Sequence, residues 1–156
     1  MKRRHVLGTA GGALAASLLP EVVLAQAPPV FAQEADSDAL VKSVTHGKAA
    51  QMGRVKLELP LLADNGNSVP MKVSVESPMS AADHVKTIRL LSERNPESQM
   101  ATFHLGPHSG AAEISSRVRL AGSQRVVALA EMSDGSYWMG TADVTVTLSA
   151  CVDGTG

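Results

Sequence analysis

From Val55 onward the apolar positions recur every second residue. Val55, Leu57, Leu59 and Leu61 alternate with Lys56, Glu58 and Pro60. Val69, Met71, Val73 and Val75 alternate with Pro70, Lys72, Ser74 and Glu76. A period of two puts each apolar set on one face of a strand, and Asp64-Asn65-Gly66-Asn67 between the runs has the composition of a turn. A less regular run, Val85 to Leu91, stops at Asn95-Pro96. Ala101, Phe103 and Leu105 then oppose Thr102 and His104, and Gly106-Pro107 with Ser109-Gly110 makes a loop. Ile114, Val118 and Leu120 alternate against Glu113, Ser115, Arg117 and Arg119. Arg125 to Met132 is almost continuously apolar, as expected of a strand covered on both faces. Asp134-Gly135 between Met132 and Tyr137 is a hairpin signal, and a last strand spans about Tyr137 to Ser149.

Upstream the period is helical. Asp36-Ser37-Asp38 offers caps, Leu40, Val41 and Val44 share one face, and Gly47 is a stop. The whole reads as mainly β: an immunoglobulin-like antiparallel β-sandwich of about seven strands with a short N-terminal helix. The Cys–Trp–Cys core of immunoglobulin domains is absent, so the expectation concerns architecture alone. No internal repeat stands out.

The first 32 residues read as an address and a linker. Lys2, Arg3 and Arg4 precede the apolar, glycine-rich run Val6 to Leu19, which is too short for a membrane span. Small residues suited to a signal peptidase stand at Ala25 and Ala32. Arg3-Arg4 followed by His5-Val6-Leu7 resembles a twin-arginine export signal, which implies the periplasm. The expected organisation is 1–32 export signal and linker, 33–148 β-sandwich, and 149–156 a C-terminal arm.

Composition narrows the function. The 156 residues carry Lys+Arg 14 against Asp+Glu 15, a formal net charge of -1. That leaves no basic field for a phosphate backbone, and four large aromatics give no stacking platform, so nucleic acid is excluded as a partner. No nucleophile–His motif, paired catalytic carboxylates or phosphate loop is present, so no catalytic residue and no cofactor are assigned. His104 and His108 flank a Gly-Pro break, and Met52, Met71, Met79, Met100, Met132 and Met139 are dispersed, mostly at strand positions. Core packing accounts for the methionines better than a metal site does, and His46 and His84 have no paired ligand nearby.

The chemistry-bearing residue is Cys151, the single cysteine. An unpaired cysteine in an exported chain points to a partner disulfide or a working thiol. Free cysteines usually pack as small hydrophobes, but the phase of the last strand opposes that here. Val144, Val146, Leu148 and Ala150 form the apolar set, while Thr145, Thr147, Ser149 and Cys151 form the polar one. No His or Lys adjoins the thiol, and Asp153 opposes its ionisation. Such a thiol suits the carriage of a covalently attached group rather than catalysis. Four residues separate Thr147 from Cys151, so an extended arm reaches roughly 14 Å beyond the sheet.

Across nearly the whole mature chain the sequence resembles the SoxY family, the sulfur-carrier subunit of the periplasmic thiosulfate-oxidising Sox system. The resemblance is carried by Val55-Lys56-Leu57-Glu58-Leu59-Pro60, Asn65-Gly66-Asn67-Ser68-Val69-Pro70, Ser77-Pro78-Met79, Asn95-Pro96, Ala101-Thr102-Phe103, Arg117-Val118-Arg119-Leu120-Ala121 and Ala130-Glu131-Met132-Ser133-Asp134-Gly135. It implies that Cys151 is the covalent attachment point for oxidised sulfur intermediates. It also implies a heterodimer with a SoxZ-like small subunit, and turnover by a c-type cytochrome, a hydrolase and a dehydrogenase. Without that partner the thiol is expected to join two copies through a disulfide. The family's arm ends Gly-Gly-Cys-Gly-Gly. Here Ser149, Ala150, Val152, Asp153 and Gly154 surround the cysteine, which makes a stiffer arm and raises a paralogous carrier of another sulfur compound as an alternative. A further alternative is a non-catalytic periplasmic adaptor that recruits partners by strand addition, with an incidental thiol.

Overall fold

The computed structural model describes residues 34–150. Within them lie one helix, α1 (Glu34–Val44), and nine strands: β1 (Ala50–Met52), β2 (Val55–Glu58), β3 (Leu62–Asn65), β4 (Val69–Val75), β5 (Val85–Ser92), β6 (Gln99–His104), β7 (Glu113–Val118), β8 (Gln124–Met132) and β9 (Tyr137–Leu148). A six-stranded sheet has the order β1-β9-β8-β5-β6, with β3 also on β9. A three-stranded sheet, β2-β4-β7, covers one of its faces. The molecule is therefore the mainly β sandwich that the alternation calls for.

The core follows the period. In β8, Val126, Ala128, Ala130 and Met132 face the small sheet, packed with Val69, Val73 and Ile88. Their neighbours Val127 and Leu129 face the other way, against Val41 of α1 and Tyr137. The continuous apolar run of β8 is thus explained, because the helix covers the face that the second sheet does not. Each of these side chains is fully or nearly fully buried, and burying a large apolar side chain is worth about 1.5–3 kcal/mol relative to exposure.

Several details differ from the sequence expectation. The helix begins at Glu34, so Asp36-Ser37-Asp38 lies inside it rather than capping it. Ser37 is buried, and its hydroxyl donates to Glu93 Oε1 across the sheet instead. The alternation through Leu61 also fails, since β2 ends at Glu58 and Leu61 is 83% exposed. Pro60 has no N–H to continue a ladder. The chain crosses there to the other sheet, where β3 runs parallel to the end of β9 with Ala63 opposite Val146. β1 likewise lies parallel to the start of β9, Ala50 opposite Tyr137. These two short parallel strands are the additions to the seven runs.

Asp134-Gly135 does turn the chain between β8 and β9. Gly135 takes φ 82, and the Asp134 carboxylate accepts the Ser136 N–H. The close seam between sheets falls at Gly140 of β9, where an added Cβ would stand 2.4 Å from the Val55 carbonyl oxygen of β2. Of the methionines, Met71, Met79 and Met132 are buried, whereas Met52 is 60% exposed. Among the described residues no helix is long and apolar enough to cross a membrane. The leader over 1–32 lies outside the described residues.

Candidate functional site: the anchored base of the C-terminal arm

Four chain segments meet where β9 ends. The turn after β3 supplies Gly66, the connection from β7 to β8 supplies Arg119 to Ser123, and the loop after β5 supplies Arg94 and Asn95. The fourth is Leu148-Ser149-Ala150 itself. Backbone hydrogen bonds join three of them in series. Gly66 N–H donates to Leu148 O at 2.7 Å, Leu120 N–H donates to Gly66 O at 2.9 Å, and Ala150 N–H donates to Leu120 O at 3.0 Å. The contacts are so close that a Cβ on Gly66 would lie 2.4 Å from Leu120 O and 3.0 Å from Ala150 N. Glycine is required at this turn for close backbone approach.

Side chains tie the loop after β5 into the same pole. Asn95 Nδ2 donates to Arg119 O at 2.8 Å, and Asn95 Oδ1 accepts from Ala121 N–H and Gln124 Nε2. Gln124, fully buried, accepts from the Ser92 hydroxyl and the Arg94 N–H. Ser123 Oγ accepts the Val146 N–H at 2.9 Å. The buried polar groups of this network have partners, and that makes such a network rigid rather than costly.

Cys151, Val152, Asp153 and Gly154 lie outside the described residues. Of the residues expected in the arm, Ser149 and Ala150 are described: Ser149 is exposed, and Ala150 is half-buried and bonded to Leu120. The apolar face of β9 also ends sooner than its phase indicates. Val144 and Val146 are buried, but Leu148 is 59% exposed. Among the described residues the chain is held as far as Ala150. In the sequence Cys151 is the residue after Ala150.

No cation adjoins the thiol in the sequence; in the fold Arg94 lies near Ser149, across Gly122. Arg94 Nη1 donates to Ser123 O at 3.0 Å. A Cβ added to Gly122 would stand 3.7 Å from Ser149 Oγ and 3.8 Å from Arg94 Nη1. The guanidinium and the exposed Ser149 thus flank the same bare backbone. Among the described residues Arg54, Arg89 and Arg125 have carboxylate partners, whereas Arg94, Arg117 and Arg119 have none within 4.0 Å. Those three lie toward this pole. A signal existed in Arg117-Val118-Arg119, two outward cations at the end of an edge strand, with Pro70 rather than an acid opposite Arg117. Arg94 carried none, since it lies far from Ala150 in the chain.

Beside this pole the sandwich is open between the edge strands β6 and β7. A cleft of about 540 Å³ lies there, lined by Leu90, Met100, Phe103, Val118, Arg119 and Glu97 among others. His104 and His108 are exposed, and among the described residues no three His, Cys, Asp or Glu side chains gather as a metal would need.

A profile of the family described as the sulfur oxidation protein SoxY matches residues 41–151. The matched segment runs from the buried Val41 of α1 to the cysteine directly after the anchor. The chain belongs to the SoxY family. At family level this makes it a carrier subunit of sulfur oxidation, a component of the periplasmic Sox system that works with partners such as SoxZ. No curated protein matches the sequence. Among solved structures, superoxide reductase (neelaredoxin) from Ignicoccus hospitalis is similar at 19% identity and a TM-score of 0.53, over 60% of this chain and 80% of that one. Superoxide reductase from Nanoarchaeum equitans is similar at 12% identity and a TM-score of 0.52, over 62% of this chain and 100% of that one. At these identities the likeness is one of fold alone.

Proposed function

We propose that this SoxY-family chain carries oxidised sulfur intermediates covalently on Cys151 and presents them to separate enzymes of thiosulfate oxidation. The observation that carries the reading is the family match, which reaches the single cysteine. The family match runs through the sandwich and closes on the single cysteine, and the last described residue before it, Ala150, is bonded to Leu120. On this reading the domain presents the thiol, and the conjugate enters a partner's channel.

The chemistry balances with a two-electron acceptor. The Cys151 thiol and thiosulfate lose one proton and two electrons, an S–S bond forms between the thiol sulfur and the sulfane sulfur, and the electrons pass to the haem of a c-type cytochrome. Water then cleaves the bond between the sulfane sulfur and the sulfonate in a hydrolase, which releases sulfate and two protons and leaves a persulfide anion on Cys151. A dehydrogenase, or renewed rounds of the same cycle, removes the remaining sulfur. The domain supplies no general base to these steps. It supplies position. A SoxZ-like small subunit forms the heterodimer, and export through the twin-arginine route delivers the folded chain.

The test is a Cys151→Ser chain in a reconstituted thiosulfate-oxidising system or in a deletion strain. Loss of thiosulfate-dependent electron flow with the fold intact is the expected result. Full activity would instead favour the adaptor reading, in which the exposed strand edges do the recruiting.

A further inference from the structure

We propose that β7 is a self-recognition edge, along which two copies of this chain pair antiparallel into one continuous sheet across a two-fold axis at Ser115. The inference goes beyond the carrier reading and does not depend on it. Among the described residues β7 is paired with β4 alone. The direction of its remaining backbone groups follows from the register. Val75 N–H donates to Ala112 O at 2.9 Å. Bonded pairs in an antiparallel ladder recur every second residue, so they continue through Val73–Ile114, Met71–Ser116 and Val69–Val118. Pro70, which has no N–H, stands opposite Arg117 at an unbonded position, as this phase requires. Glu113, Ser115 and Arg117 therefore turn both N–H and C=O away from β4, and all three residues are exposed.

The same three residues make the strand its own complement. With Ser115 opposite Ser115 of a second copy, Glu113 meets Arg117 of that copy and Arg117 meets its Glu113. Each of the three pairs falls at a bonded position, which gives about six backbone hydrogen bonds. Directly opposed residues share a face, so each carboxylate stands beside a guanidinium. Centring the axis on Glu113 or on Arg117 would instead oppose like charges. Within its own chain Arg117 donates to the Ser68 hydroxyl at 3.2 Å, and no described carboxylate lies within 4.0 Å of it. Glu113 already holds Lys72 Nζ at 2.9 Å, so the pairing extends a row of alternating charge across the joined sheets. Prolines and bulges are common means of keeping an edge from pairing. β7 contains no proline and keeps one register against β4 throughout, whereas β6 on the same flank changes register against β5 between Leu90 and Leu91. A pattern complementary to itself under a two-fold axis selects a second copy as the occupant.

Sedimentation velocity of the full chain, under reductant and without a partner subunit, provides the test. The reductant removes disulfide-linked dimers, so the outcome is independent of the carrier reading. A concentration-dependent dimer is expected. Glu113→Arg and Arg117→Glu each oppose like charges at both ends of the seam, and each should raise the dimer Kd about tenfold or more. Mixed in equal amounts, the two variants put Arg opposite Glu at both ends, and a heterodimer should form with nearly the wild-type Kd. That recovery also shows that both variants are folded. Ser115→Pro removes an N–H that β4 does not use, a change an edge strand tolerates, and should abolish the dimer while the far-ultraviolet circular dichroism stays unchanged. A wild-type chain that stays monomeric up to about 1 mM, a dimer indifferent to all three substitutions, or a mixture of the two charge variants that gives no heterodimer overturns the proposal and leaves the carrier reading standing.

Discussion

Replacing Gly66 by Ala perturbs the arm base through a single methyl group. The new Cβ would stand 2.4 Å from Leu120 O and 3.0 Å from Ala150 N, well inside van der Waals contact. Neither obstacle is a side chain that can rotate away, so the backbone of the turn or of the β7–β8 connection must shift. Overpacking of this kind costs about 1–3 kcal/mol. The displaced atoms also carry the series Gly66–Leu148, Leu120–Gly66 and Ala150–Leu120, and each bond weakened costs about 0.5–1.5 kcal/mol. The expected destabilisation is about 2–4 kcal/mol, read as a lower urea midpoint with an unchanged slope. The local consequence is more specific. With Ala150 released, native Cys151 should be alkylated faster by a neutral reagent, at urea concentrations well below the midpoint as well as in water. Gly135→Ala is the matched comparison. Its φ of 82 makes the change unfavourable, but an added Cβ there meets nothing within 4 Å, so the cost should be about 1 kcal/mol. It lies at the β8–β9 hairpin, the far end of β9, and should leave Cys151 reactivity alone. If Gly66→Ala kept both the midpoint and the thiol reactivity, the anchoring of Cys151 through Ala150 would be refuted.

Other residues carry consequences of the same kind. Gln124→Ala removes a fully buried amide that serves Ser92, Arg94 and Asn95, and should cost about 2–4 kcal/mol by urea unfolding through the groups it leaves unpaired. Gly140→Ala, whose Cβ would stand 2.4 Å from Val55 O, should push β2 from β9 and lower the thermal midpoint about as much as Gly66→Ala, without altering Cys151 reactivity. Glu131 links acid stability to one site. Burial pushes its carboxyl up, but the hydrogen bond and charge of Lys86, the charge of Arg89 and the Thr87 hydroxyl together outweigh burial and hold it below its ordinary 4.5. A pKa lowered on folding adds stability that is fully present above the unfolded value and lost as pH falls through the folded one. The stability gap between wild type and Glu131→Gln should therefore close on acidification below about pH 4.5, and a gap constant from about pH 7 to about pH 3 would contradict the assignment.

The sandwich was readable because its strands are half-buried and its residues alternate accordingly. β4 is the clearest case: Val69, Met71, Val73 and Val75 are all buried and the residues between them are not. β8 was readable for the opposite reason, since helix and sheet enclose it from both sides. β1 and β3 were hidden because each is only a few residues long and largely exposed, so no apolar period marks them. Their pairing to β9 depends on tertiary position. Leu61 shows the limit of counting every second residue: the alternation continues in the sequence, but Pro60 ends the ladder. At the site, the phase of β9 placed Thr145, Thr147 and Ser149 outward, as they are. It could not show that Leu148 lies beyond the edge of the core, nor that Ala150 is tied to Leu120. Arg94 was out of reach altogether, because its place beside Ser149 comes from a loop organised by Asn95 and Gln124.

What Cys151 bears in the working cell decides between a carrier and an adaptor, and intact mass spectrometry of the protein isolated without reductant from cells oxidising thiosulfate measures it directly. A population heavier by sulfane sulfur or a thiosulfonate, mapped to Cys151 and returned to the unmodified mass by reduction, is the predicted result. A chain that stays unmodified at Cys151 throughout active thiosulfate oxidation would contradict it.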